Sequence, residues 1–82
     1  QSFSEAFAQR RFSEAEVFAQ LLVKDFPRSS ACWKALAVTL QQLGRSEEAL
    51  AAMREARDLN PEDAEIHQNI GVIFKSLGIS FL

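Results

Sequence analysis

SACWKALAVTLQQLGRSEEALAAMREARDLNP, running from Ser30 to Pro61, contains both halves of the pattern on which the fold turns. Trp33, Leu36, Ala37, Leu40 and Gly44 recur at i, i+3, i+4, i+7 and i+11, which places them on one stripe of a helix. Gly44 and Arg45 interrupt that stripe. Ser46 then precedes Glu47 and Glu48, the pattern of an N-cap followed by acidic residues in the positive first turn of a new helix. The second helix carries its own stripe, Ala49, Ala52, Met53 and Ala56, with Arg54 and Arg57 toward its negative end. Asn60-Pro61 closes the unit, because proline disfavours helical geometry at the residue before it and suits the first position of a following helix.

Working outward, the sequence superimposes on itself at a shift of 34 residues. Pro27 falls on Pro61, Arg11 on Arg45, Glu14 on Glu48 and Ala15 on Ala49. Further along, Trp33 falls on His67, Leu36 on Ile70, Ala37 on Gly71, Leu40 on Phe74, Leu43 on Leu77 and Gly44 on Gly78. A fixed period of this length is the mark of a stacked repeat. In the earlier copy Ser13 and Glu16 have capping-box spacing and Phe26-Pro27 ends the helix they start. Five helices are expected, over about 1–10, 13–26, 29–43, 46–59 and 62–77, in a single domain spanning residues 1–82. Loops of about two to four residues force neighbouring helices to pack antiparallel as hairpins.

Composition agrees with an all-α chain: there is no Tyr, and Ala, Leu, Glu, Gln and Arg are abundant. At 82 residues the core is thin, since only about 60 to 65% of the unfolded surface is buried at this size. A net charge of −2 with interspersed signs supplies no footprint for nucleic acid or an anionic membrane, and no apolar run approaches a membrane span. One Cys and one His cannot build a disulfide or a zinc cluster, so no metal and no cofactor is expected, and a reducing, cytoplasmic setting fits. The first residue is Gln1 rather than Met, which suggests a processed or excised piece.

These residues resemble the tetratricopeptide repeat, a helix-turn-helix unit of the same period. The copy from Ser30 to Asp63 meets its pattern at Trp33, Leu36, Ala37, Leu40, Gly44, Ala49, Met53, Ala56 and Pro61. Residues 64–82 supply one helix of a truncated copy, with Ile70, Gly71, Phe74 and Gly78 in register and His67 in place of the large apolar residue. Residues 1–29 form an incomplete first copy, with Ala19 where a large residue is usual and Arg10 in place of the turn glycine. The resemblance implies antiparallel helix hairpins in a right-handed α-α superhelix. It also implies a non-catalytic module whose first helices, the A helices, line a concave groove that binds a peptide or an extended protein segment. Such arrays also precede catalytic domains such as glycosyltransferases, so a substrate-recruiting region of a larger enzyme is the alternative.

The residues that suggest chemistry read better as structure. Cys32 and His67 lie at helix phases about 100° apart on the repeat, which does not suit a nucleophile and its base. Cys32 is expected to be partly buried beneath Val23 and Phe26, and His67 to pack at the edge of a core stripe with one ring nitrogen in solvent. Glu47-Glu48 and Glu62-Asp63 each fall in a helix's first turn, where negative charge complements the dipole. Phe3, Phe7, Phe18, Phe26 and Phe74 lie on helical stripes and read as core.

The other face of the A helices, turned about 80° to 180° from the core stripe, carries the candidate binding residues. They are Lys34, Val38, Gln41 and Gln42 in the central copy, and Gln68, Asn69, Val72 and Lys75, with Ser76, in the next. Their amides and exposed valines suit a peptide backbone. By the resemblance, Asn69 matches an asparagine that holds peptide backbone in some members. Lys34 likewise matches one lysine of a carboxylate clamp, but Val38 replaces the clamp's asparagine.

After Gly78 the chain reads Ile79-Ser80-Phe81-Leu82 instead of a polar turn and a helix. The stripe of Ile70, Phe74 and Leu77 is then expected to lack a hairpin partner, at a loss on the order of 5 to 9 kcal/mol for three exposed side chains. Self-association through Ile70, Phe74, Leu77, Ile79, Phe81 and Leu82, giving a homo-oligomer, is the corresponding expectation, with a longer repeat array that supplies the missing helix in cis as the alternative.

Overall fold

A computed structural model describes residues 2–78 of the chain. Five helices follow one another: α1 (Phe3–Ala8), α2 (Phe12–Asp25), α3 (Ser30–Gln42), α4 (Ser46–Leu59) and α5 (Ala64–Ser76). No strand occurs among the described residues. Extensive contact is confined to consecutive helices, so the molecule is a slab of 43 × 24 × 17 Å in which each helix rests on its neighbours in the chain. None of the described helices is long and apolar enough to cross a membrane.

The turn from α3 to α4 is a Schellman arrangement, with Gly44 at φ 76°. Gly44 N–H donates to Gln41 O at 3.0 Å and Arg45 N–H to Leu40 O at 2.9 Å. The turn from α1 to α2 repeats it with Arg10 at φ 58°, Arg10 N–H donating to Phe7 O and Arg11 N–H to Ala6 O. Because the residue after the left-handed position is held by the outgoing helix and already serves as N-cap of the next, Arg11 and Arg45 occupy the cap places. Ser13 and Ser46 therefore lie inside their helices rather than capping them, a correction to the sequence reading.

Arg10 adopts a backbone conformation that costs an L residue about 1 to 2 kcal/mol, part of which glycine would return as unfolded-state entropy. Arg10→Gly is expected to raise stability by about 0.5 to 1 kcal/mol, read as a higher denaturant midpoint at unchanged slope. A lower midpoint would show that the Arg10 side chain contributes more than its backbone costs.

The two longer turns also match. Ser29 N–H donates to Phe26 O at 3.1 Å and Asp63 N–H to Asn60 O at 3.3 Å, with Pro27 and Pro61 at the second turn position where a fixed φ is favoured. Pro61 thus belongs to the turn, and α5 starts three residues later, at Ala64, than a proline-first helix would. Glu62 and Asp63 accordingly precede the helix, Asp63 as its N-cap. Each turn is tied back by the helix it introduces. Trp33 Nε1–H donates to Pro27 O at 2.8 Å, and His67 Nε2 lies 2.6 Å from Pro61 O, an acceptor that calls for the proton on Nε2. His67 reproduces the indole hydrogen bond while leaving its ring exposed, contrary to the expected packing at a core edge.

The core runs through Leu36, Ala37 and Leu40 of α3, Ala49, Ala52, Met53 and Ala56 of α4, and Ile66, Ile70 and Ile73 of α5. Alanines on α4 let α3 and α5 approach it closely, and Met53, fully buried, fills the space between. Cys32 is half-buried against this cluster, which also includes Val23; Phe26, expected to cover it, is 57% exposed at the C-cap of α2.

The burial of α5 corrects the expected open stripe. Ile70 is only 8% exposed, and Phe74 and Leu77 are half-buried against the core. The physical reason is that an A helix has two apolar faces. One turns to the preceding B helix, which for α5 is α4, and Ile66, Ile70 and Ile73 fill it. His67 and Gly71, on the face that Trp33 and Ala37 use in α3, are exposed. The large loss expected from three exposed side chains is therefore not incurred. Ile79, Phe81 and Leu82 lie outside the described residues.

Candidate interaction surface

A hollow of about 260 Å³ opens between α1, α3 and the start of α5. Phe3 and Phe7, one turn apart on α1, form one wall, their ring centroids 5.6 Å apart. Phe7 is held in turn by an edge-on contact with Phe12 at 5.2 Å. Ala31, Ala35 and Val38 of α3 supply the facing wall at helical spacing, and the small alanines keep it open. Lys34 and Glu65 are the polar members of its lining.

Lys34 is the most constrained charge of the surface. Its ammonium lies 3.0 Å from Asp63 Oδ2 and 3.7 Å from Glu65 Oε1, joining α3 to the start of α5. Asp63 uses its other oxygen to cap α5, accepting from Glu65 N–H at 2.9 Å. The hydrogen bond from Lys34 holds the Asp63 carboxyl below its ordinary range, and the same bond, with the charge of Glu65, pushes the lysine up. A second bridge links successive B helices. Arg45 reaches Glu16 at 2.6 Å and Glu48 at 2.5 Å; these hydrogen bonds raise the guanidinium's pKa, and the one to Glu48 lowers that carboxyl's.

Three further hollows open among the described residues, and the first shares Phe7 with this one. Phe7, Ala8, Arg10, Phe12 and Gln42 line one of about 270 Å³ beyond the C-terminal end of α1. A wider depression of about 610 Å³ lies along α2, where Val17 and Leu21, 60% and 52% exposed, stand beside Lys24 and Trp33.

Of the nine candidate binding residues, Lys34 and Val38 line the first hollow, Gln42 the one beyond α1, and Ser76 another between the end of α5 and the start of α4. Gln41 and Asn69 are half-buried and Gln68, Val72 and Lys75 exposed, but none of the five lines a described hollow. Sequence reasoning missed Phe3, Phe7, Ala31, Ala35 and Glu65. For Phe7 the signal was available, since the 34-residue shift places it on Gln41, a position already assigned to this face. Ala31 and Glu65 likewise share one register and escaped notice because alanine carries no chemical signature.

Among the described residues no group of three or more His, Cys, Asp or Glu side chains is placed to hold a metal ion. Cys32 and His67 are engaged separately, the first through its backbone N–H with Ser29 Oγ and the second with Pro61 O.

The chain matches no curated protein. The sequence pattern described as Tetratricopeptide repeat matches residues 6–70, from the middle of α1 into α5, which covers the hairpins and both Schellman turns set out above. With its repeat, its turns and this match in agreement, the chain belongs to the tetratricopeptide repeat family.

Proposed function

We propose that this chain is a non-catalytic interaction module that receives an extended segment of another protein in the hollow between α1, α3 and the start of α5. Tetratricopeptide repeats generally mediate contacts between proteins, and the residues lining this hollow support the same role here. The observation that carries the reading is the union of Phe3 and Phe7 with Ala31, Ala35 and Val38 around one solvent-open hollow. Aromatic walls supply contact area at small entropic cost, and the amides of Gln41, Gln68 and Asn69 on the same helices are suited to hydrogen-bond a peptide backbone. A recruiting region of a larger enzyme would use the same surface.

Amide chemical-shift mapping with pools of acidic, basic and apolar peptides tests this. Resonances of residues 31, 35, 38 and 65 are expected to move together, and Val38→Glu is expected to weaken the responding peptide about tenfold while leaving helical circular dichroism intact. Shifts confined to Val17, Leu21 and Lys24 would move the interaction to the α2 depression and overturn the assignment.

Self-association is the second reading, favoured by the exposure of Val17, Leu21 and Val72, the last at 45%. Phe74 and Leu77 add their half-buried edges at the α5 end. A purely monomeric mass by light scattering across a wide dilution range would remove it.

A further inference from the structure

The charges on the hollow's rim do not balance, and the imbalance specifies a ligand. Among the described residues that line the hollow Lys34 is the one cation, and it is already committed: Asp63 holds it at 3.0 Å and Glu65 stands 3.7 Å away. Among the described residues, one positive and two negative charges leave this corner with a net charge of −1. The two carboxylates are not equivalent. Asp63 has a side-chain exposure of 22% and spends both oxygens, one on the lysine and one on the cap of α5. Glu65 has a side-chain exposure of 66% and its contact with the lysine is loose, so its carboxylate faces solvent at the mouth of the hollow. Arg10 does not offset it, because that side chain lines the separate hollow beyond Phe7.

We infer that the segment bound here carries an apolar side chain for the Phe3, Phe7 and Val38 walls and a flanking lysine or arginine for Glu65, so that Glu65 determines specificity and Lys34 does not grip an acidic group. This rests on the proposed function and sharpens it. A ligand carboxylate would meet a Lys34 already bonded to Asp63 and would stand beside two carboxylates, whereas a ligand cation at Glu65 balances the charges of this corner without breaking any contact. The complementarity is electrostatic, so it weakens with salt.

The test uses the intact chain and three peptides of equal length with one phenylalanine-leucine anchor, flanked by lysines, by glutamines or by glutamates. Titrations are followed at the amides of residues 31, 35, 38 and 65, at low and high salt. The lysine peptide is expected to bind tightest. Glu65→Gln, at an exposed site that leaves the fold intact, is expected to weaken it about two- to fivefold, the range of an exposed ion pair, and to erase most of its salt dependence. Glu65→Lys is expected to place the glutamate peptide first. If the glutamate peptide binds the unaltered chain as well as the lysine peptide, or if Glu65→Gln changes nothing, the specificity assignment is overturned while the hollow stands as a binding site. If none of the three moves these amides and all shift other surfaces, the site itself is wrong and this inference falls with it.

Discussion

Met53→Ala is expected to cost about 3 kcal/mol, the usual scale for truncating a fully buried long side chain. For a chain of 82 residues the whole stability is about 4 to 12 kcal/mol, so the substitution removes about a quarter to three quarters of it. The size of the effect follows from what surrounds the side chain. Ala49, Ala52 and Ala56 share its face of α4, and none of them extends to fill the space it would leave. The loss should appear as a fall of about 15 °C in the melting midpoint, followed by circular dichroism. A loss below about 1 kcal/mol would mean that α3 and α5 collapse onto α4 and that Met53 is a filler without structural weight.

Ile73→Ala is expected to act more locally. Ile73 is also fully buried, and its truncation should cost about 2 to 4 kcal/mol. However, α5 is held mainly by α4 at one end of a linear stack, so the loss falls on that single interface. Hydrogen exchange is the measurement that separates the two substitutions. Amides of α5 should lose protection while those of α3 and α4 keep most of theirs. Equal loss across all three helices would show that the described chain folds as one cooperative unit, and would count against nearest-neighbour stability.

The contrast between these substitutions marks where the sequence could be read and where it could not. Met53 was legible as core because Ala49, Ala52, Met53 and Ala56 recur at helical spacing within a single element. Ile73 was passed over because its register partner in the central copy is Thr39, a polar residue. In the folded chain Thr39 is nonetheless fully buried, its hydroxyl donating to Ala35 O at 2.8 Å. With its one hydroxyl satisfied within its own helix, threonine can sit where isoleucine does. A stripe defined by apolar identity alone therefore missed the second buried face of the A helices and took Ile70, Phe74 and Leu77 for an open edge.

The candidate site divides in the same way. Lys34 and Val38 were found because they lie opposite Trp33 on one helix, a relation that periodicity states outright. The partners of Lys34 were not found. Asp63 lies 29 residues away in sequence, the same separation as Glu16 from Arg45 in the other cross-repeat bridge. Each carboxylate is ordinary in its own segment and acquires its role only when a neighbouring repeat docks against it.

Sequence alone determined the period, the five helices, their hairpin order and the family, because these follow from side-chain spacing and turn chemistry within about a dozen residues. Helix starts moved by one to two residues where Schellman turns and proline turns assigned the caps. Tertiary structure decided which face of α5 is covered, that Phe3 and Phe7 join Val38 around one hollow, and that Asp63 occupies Lys34 while Glu65 stays open to solvent. Those outcomes depend on how one helix pair sits on the next, and no local pattern encodes a distance between groups that meet only across the interface between repeats.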